Sequence, residues 1–176
     1  SVLCSTQWSH NKPPQEDASV DYIHSADILH HCLILDRSLD EFHRILKLGK
    51  QVSVMVYNSE NIWFHLYEGY ILMLKSKWNK SLSTPEAFKL ITDGKEWSIA
   101  KCYEKKEFLT LFSKAGFTGS HKGNTMSLHE LGCTEYRFDD LADPRYRSKH
   151  GDFITNLTFD PRGFPMYNEN IAGISA

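Results

Sequence analysis

Apolar residues recur along this chain in two distinct periods, and the changes of period mark its elements. Val20 to Ser25 sets Val, Tyr and Ile between polar flanks, a short β-prone run. From Asp36 onward the apolar positions Leu39, Phe42, Ile45 and Leu46 follow a three-and-four spacing, which predicts a helix with one buried face over Asp36–Lys47. Asp36 is placed to cap its start, and Gly49 to take the left-handed position that ends such helices. Val52, Val54, Met55 and Val56 then form a near-continuous apolar strand within Gln51–Tyr57, the pattern of a parallel sheet covered on both faces. Strand, helix and strand with short connections predict a right-handed parallel crossover, hence an α/β fold.

Further along, Ile62, Trp63, Leu66, Tyr67, Tyr70, Ile71 and Leu74 draw an apolar stripe over more than three helical turns. Thr84-Pro85-Glu86 predicts a second helix start, with Thr84 as cap and Pro85 in the first turn, and Asp93-Gly94 predicts a turn. A helix over Lys105 to Ala115 is expected to bury Phe108, Leu111, Phe112 and Ala115 and to stop at Gly116, with Phe117 opening another strand. The first seventeen residues are weakly patterned: Ser1 to Cys4 suits the end of a strand, and Asn11 to Asp17 has loop chemistry. The tail from Tyr136 mixes charge with Pro, Gly and aromatics, as in an ordered extension or a strand pair.

Composition narrows the function classes. The 176 residues, 41% hydrophobic and 24% charged, suit one ordinary globular domain. A formal charge of −2 leaves no basic footprint, which argues against nucleic-acid binding. The four cysteines, Cys4, Cys32, Cys102 and Cys133, form no Cys-x-x-Cys pair, so neither a zinc knuckle nor a disulfide framework is expected. No apolar run approaches the ~20 residues of a membrane span, and no basic-then-apolar leader opens the chain. A cytoplasmic protein without membrane contact is the expectation.

The residues Asp17-Ala18-Ser19-Val20-Asp21, Leu29-His30-His31 and Arg44-Ile45-Leu46-Lys47-Leu48-Gly49-Lys50 follow one another with Pro13-Pro14-Gln15 ahead of them. Lys101-Cys102-Tyr103, Glu107 and Phe112-Ser-Lys-Ala-Gly-Phe117 come later. In that order and spacing, Pro13 to Phe117 resembles the middle and end of a class I S-adenosylmethionine-dependent methyltransferase domain. The resemblance implies a Rossmann-like sheet, incomplete at the N-terminus, with residues 1–135 as the C-terminal half of the domain. Residues 58–101 would be a helical cap insertion built on Trp63, Tyr67 and Tyr70, and 136–176 a C-terminal extension.

Three departures qualify it. The family's proline-glycine-glycine turn is here Leu48-Gly49-Lys50. Ser9 stands where an acidic residue usually meets the adenine. The glycine-rich loop and the ribose-binding carboxylate are missing, and no Gly-x-Gly pattern replaces them. The isolated chain, a fragment on this reading, is therefore expected to bind the cofactor weakly and to be inactive alone.

In such sheets ligands lie beyond the carboxyl ends of the strands. The resemblance thus implies that His24, Ser25, Ala26 and Leu29 line the cofactor S-adenosyl-L-methionine. His30 and His31 are candidate catalytic bases, since a neutral imidazole suits removal of a proton from the acceptor. Structural hydrogen bonding is the competing role for both. Tyr57, Asp93, Lys101 and Tyr103 are candidate contacts for a small-molecule substrate. His24, His30, His31 and Cys32 lack a clean ligand spacing, so no metal is expected. The function implied is methyl transfer to a small molecule. A non-catalytic binding or scaffold protein that kept the half-fold is the alternative, and an oxidoreductase on a similar sheet fits the Leu-His-His turn less well.

Overall fold

The computed structural model describes residues 15–76, 81–95 and 99–176. The expectations for Ser1 to Cys4, Ser9 and Pro13-Pro14 lie outside the described residues. The order is β1 (Val20–Ala26), a 3₁₀ turn (Leu29–His31), α1 (Leu35–Ile45), β2 (Leu46–Met55), β3 (Tyr57–Asn58) and a wide helix (Trp63–Lys75). Then come α2 (Thr84–Thr92), β4 (Cys102–Tyr103), α3 (Lys105–Lys114), α4 (Leu128–Gly132), a 3₁₀ turn (Cys133–Tyr136), α5 (Arg137–Ala142), α6 (Pro144–Thr155), β5 (Thr158–Phe159), β6 (Pro165–Tyr167) and β7 (Asn170–Ile171). The chain divides into two compact units. Described residues up to Tyr57 join Lys101–His121 in the first, and Asn58–Ala100 joins Lys122–Ala176 in the second.

The first unit is α/β. β1 and β2 pair in parallel with α1 between them, as the pattern of residues 20 to 57 predicts. Ile23 and Ser25 share a face with Val52 and Val54, and this face meets a core of Leu29, Leu35, Leu39, Phe42, Ile45, Leu46, Val56, Tyr103 and Phe112. Burying such side chains contributes about 1.5–3 kcal/mol each. The expectation of a sheet covered on both faces needs correction. Tyr22, His24, Gln51 and Ser53 occupy the opposite face and are exposed, Tyr22 at 53%.

The helix boundaries also differ. α1 starts at Leu35, after Ile34, with no side-chain cap; Asp36 sits inside the first turn, where its charge favours the positive end of the helix dipole. It ends at Ile45 rather than Lys47, because Leu46 turns inward to face Val20 across the sheet. The register then slips: Val20 to Tyr22 is matched against Leu46 to Gln51, so β2 carries surplus residues as a bulge. Gly49, at φ +75°, serves that bulge rather than a helix end, and Leu48 beside it is fully exposed. β2 stops at Met55, and Tyr57 opens a separate strand that pairs with β4.

α3 forms where expected, with Gly116 at φ +89° past its end, but of the four residues expected to be buried only Phe112 is; Phe108, Leu111 and Ala115 pack half-buried against the same core. Phe117 opens no strand. Its N–H bonds the Phe112 carbonyl and its ring packs at 5.5 Å on Phe112 and 5.4 Å on His43, so helix-end packing holds it.

The second unit is mainly helical. The wide helix Trp63–Lys75 is bonded i to i+5 rather than i to i+4, and its closing bond runs from Ser76 N–H to the Ile71 carbonyl. Ile62, Leu66 and Tyr70 form a core with Cys133, Phe153, Ile154 and Ala172. α2 is capped by Ser83, not Thr84: Ser83 and Glu86 close a reciprocal box that satisfies backbone donors at both positions. The tail forms two helices and an antiparallel three-stranded sheet, β5-β6-β7, rather than a strand pair. Its last residues are bonded on both sides. Asn58 and Ile62 donate to Ile174 and Ala172, while Thr125 donates to Ser175 and Ile174 donates to Glu130. Cys32, Cys102 and Cys133 are not joined in disulfides. Among the described residues, no helix is long and apolar enough to cross a membrane.

Candidate functional site

The carboxyl end of β1 gathers several of the sequence-predicted residues. Strand alternation sends Ile23 and Ser25 inward and His24 outward. His24 is exposed, its ring parallel to that of Tyr22 at 6.5 Å, so its side chain is set apart from the others. After half-buried Ala26 the chain turns sharply at Asp27, which holds φ +55°. That reversal drops Leu29 and His30 into the core, both with no exposed surface.

His30 is the centre of the arrangement. The Tyr57 ring lies over it at 3.7 Å and 22°, and the His31 ring meets its edge at 4.1 Å and 64°. The His30 carbonyl accepts the Lys101 N–H at 2.9 Å. Among the described residues, neither ring nitrogen of His30 has a hydrogen-bond partner, and the buried Ser25 hydroxyl has none either. Burial first, and the neighbouring His31 second, push the His30 pKa down from 6.5 to about 3, so the ring is neutral at pH 7. Leaving buried polar atoms unpaired costs about 1–3 kcal/mol each, and native structures hold few of them.

Lys101 directs its ammonium away to Glu107 at 3.1 Å and over the Tyr103 ring at 4.5 Å. Tyr103 is packed in the first unit's core, where burial pushes its hydroxyl up to about 12. Asp93 belongs to the second unit, at the end of α2, its N–H bonded to the Lys89 carbonyl.

The second unit holds polar residues that sequence reasoning missed. His65 and His150 face each other with Nδ1 atoms 3.0 Å apart, and Phe153 stacks on His65 at 4.1 Å. Burial, then the charge of His150, push His65 down to about 3, with the Ser59 backbone offsetting part of this. Glu68 is fully buried, and neither carboxylate oxygen has a partner. A sequence signal existed for it: Glu68 is the one charged residue interrupting the apolar stripe from Ile62 to Leu74.

No family model and no curated protein matches this sequence. Solved structures do match. A chain from the complex between the Haloferax volcanii Trm112 methyltransferase activator and the "putative methyltransferase" is 21% identical over 66% of this chain and 40% of its own, with a TM-score of 0.45. A SAM-dependent methyltransferase from Thermotoga maritima is 22% identical over 61% of this chain and 42% of its own, with a TM-score of 0.40. A "putative methyltransferase" from Bacillus halodurans is 16% identical over 93% of this chain and 63% of its own, with a TM-score of 0.46. This chain thus spans between 40% and 63% of the length of these structures, and the likeness is one of fold alone.

Proposed function

We propose that the first unit belongs to the carboxyl-terminal half of a class I S-adenosylmethionine-dependent methyltransferase domain, whose parent moves a methyl group onto a small-molecule acceptor. The observation that carries this reading is His30, a neutral imidazole with two unpaired nitrogens at the carboxyl end of a parallel strand. The ordered motifs from Asp17 to Phe117 support it. A packed core histidine ordinarily satisfies at least one nitrogen. One left unsatisfied, in a unit that also leaves the Ser25 hydroxyl unsatisfied, suits a place where a ligand supplies the missing partners.

The fit to S-adenosylmethionine is partial. The Ser25 hydroxyl and the backbone of Ala26 suit its methionine end, which needs hydrogen-bonding groups at the strand end. The nucleoside end finds no match: the sequence holds no Gly-x-Gly loop, and among the described residues β1 pairs only with β2. No transfer step is therefore assigned to this chain alone. In the parent, His30 would hold or accept the acceptor's proton, with Tyr57 fixing the plane of its ring and His31 beside it.

The test compares two proteins by calorimetric titration with S-adenosylmethionine. The 176-residue chain is expected to bind weakly or not at all, and a longer protein carrying an added strand and glycine-rich loop to bind at micromolar levels. Micromolar binding by the short chain would overturn the half-site; no binding by the longer one would overturn the methyltransferase reading. A second reading is a non-catalytic binding protein that kept the half-fold, and this predicts no cofactor binding in either form.

A further inference from the structure

In the second unit, Ser59 Oγ, Trp63 Nε1 and both oxygens of Glu68 are buried without a hydrogen-bond partner among the described residues. They fall within one short stretch, at and around the start of the wide helix. Each would be costly left as it stands, and a carboxylate most of all, because its charge loses its hydration. Two features of the helix make an accident of packing a poor account. Its i to i+5 bonding is rare, and where it occurs it frequently marks a functional site. The residues flanking Glu68 are also held firmly. Tyr67 is stacked against Trp63 at 4.2 Å, and Gly69 lies so close beneath His150 that an added Cβ would sit 2.8 Å from its Nε2.

We propose that Glu68 anchors a small organic cation, an aryl- or alkylammonium, in the second unit, with the indole of Trp63, on the same wide helix, as apolar and hydrogen-bonding wall. An ammonium brings the charge and the N–H donors that a lone carboxylate lacks. A metal ion fits less well, because Glu68 belongs to no group of three metal-ligating side chains among the described residues. Aromatic surface suits the ligand's body: Trp63, Tyr67 and His129 form a contiguous ring cluster, with His129 at 5.1 Å from Trp63 and 5.5 Å from Tyr67. With no cation bound, burial raises the carboxyl to about 7, so entry of an ammonium displaces a proton from part of the population. This inference does not depend on the methyltransferase reading.

The test uses the whole chain and 2-phenylethylamine, with 2-phenylethanol as the uncharged control. Carbon NMR of the Glu68 carboxyl is expected to show its titration falling by about two units when the amine is added, as for a carboxylate gaining an opposite charge at contact distance. The amine should also raise the melting temperature, and the alcohol should not. Glu68→Gln, which keeps shape and removes the charge, should fold and lose the amine response. The proposal is overturned if the Glu68 titration is unmoved by saturating amine, or if the alcohol or the Gln variant gives the same thermal shift.

Discussion

Tyr57 lies flat over His30, ring to ring at 3.7 Å, and so holds in place an imidazole whose two nitrogens bond to nothing among the described residues. Such a residue is poor for stability, which is what the proposed role as a base requires of it. His30→Leu should therefore melt at or slightly above the temperature of the wild-type chain. In a longer protein that transfers methyl groups, the same change should lower turnover by about 10²–10⁴-fold. Cofactor affinity should hardly change. A variant that melts several degrees lower with turnover intact would mark His30 as a packing residue.

Gly173 is needed for the space it leaves. A Cβ there would stand 2.0 Å from the Thr125 carbonyl oxygen, and backbone cannot step aside as a flexible side chain can. Gly173→Ala should cost about 3 kcal/mol, at the upper end for overpacking, because the whole terminal segment must shift. Gly132 offers the control: an added Cβ meets nothing within 4 Å, and Ala there should be neutral or mildly stabilising. Urea unfolding of both variants measures the difference, and equal midpoints would contradict the close approach.

Residues 20 to 57 were legible because burial there follows the period of each element. Leu39, Phe42 and Ile45 fall on one helix face, and Val52 and Val54 on one sheet face. The helix end was misread for a tertiary reason. Leu46 is drawn inward opposite Val20, and no local signal at Gly49 distinguishes a bulge from a helix stop. Ser83 and Ser127 carried capping-box spacing in plain view, each three residues before a glutamate, but Thr84 before a proline looked the better cap. At the candidate site the Leu29-His30-His31 turn was readable as a motif. The isolation of the His30 nitrogens was not, because it depends on what fails to approach them in three dimensions. The same holds for His65 and His150, which are far apart in sequence and touching in space.

Glu130 joins two distant segments through one carboxylate. One oxygen accepts the Ser127 N–H at 2.8 Å, closing the α4 capping box, and the other accepts the Ile174 N–H at 2.8 Å. The side chain is nearly fully buried. Glu130→Ala leaves both donors without their partner and should cost about 2–4 kcal/mol, the sum of a lost cap and a buried unpaired N–H. Hydrogen exchange should rise at Ser127 and at Ile174 together. Loss of protection at only one of them would show that the carboxylate does not couple the segments.

The two units should answer acid differently. In the first, folded His30 stays neutral down to about pH 3, while its unfolded counterpart takes a proton below 6.5. The unfolded state binds more protons in that window, so stability is full above pH 6.5 and falls as pH falls toward 3. In the second unit His65, also lowered to about 3, acts in the same sense. Glu68 acts in the opposite one. Its carboxyl, raised from 4.5 to about 7, keeps in the folded state a proton that the unfolded chain has lost, so its contribution is present below 4.5 and disappears as pH rises through 7. Between pH 4.5 and 6.5 the two effects offset each other, and the second unit should be nearly flat where the first declines. Glu68→Gln removes the counterweight: the second unit should then lose stability from pH 6.5 downward, and gain up to ~3 kcal/mol at neutral pH. Hydrogen exchange of both units, followed from about pH 4.5 to 7.5 in the wild-type and Gln chains, reads them separately. Parallel pH curves for the two chains would show that Glu68 does not hold its proton in the folded state.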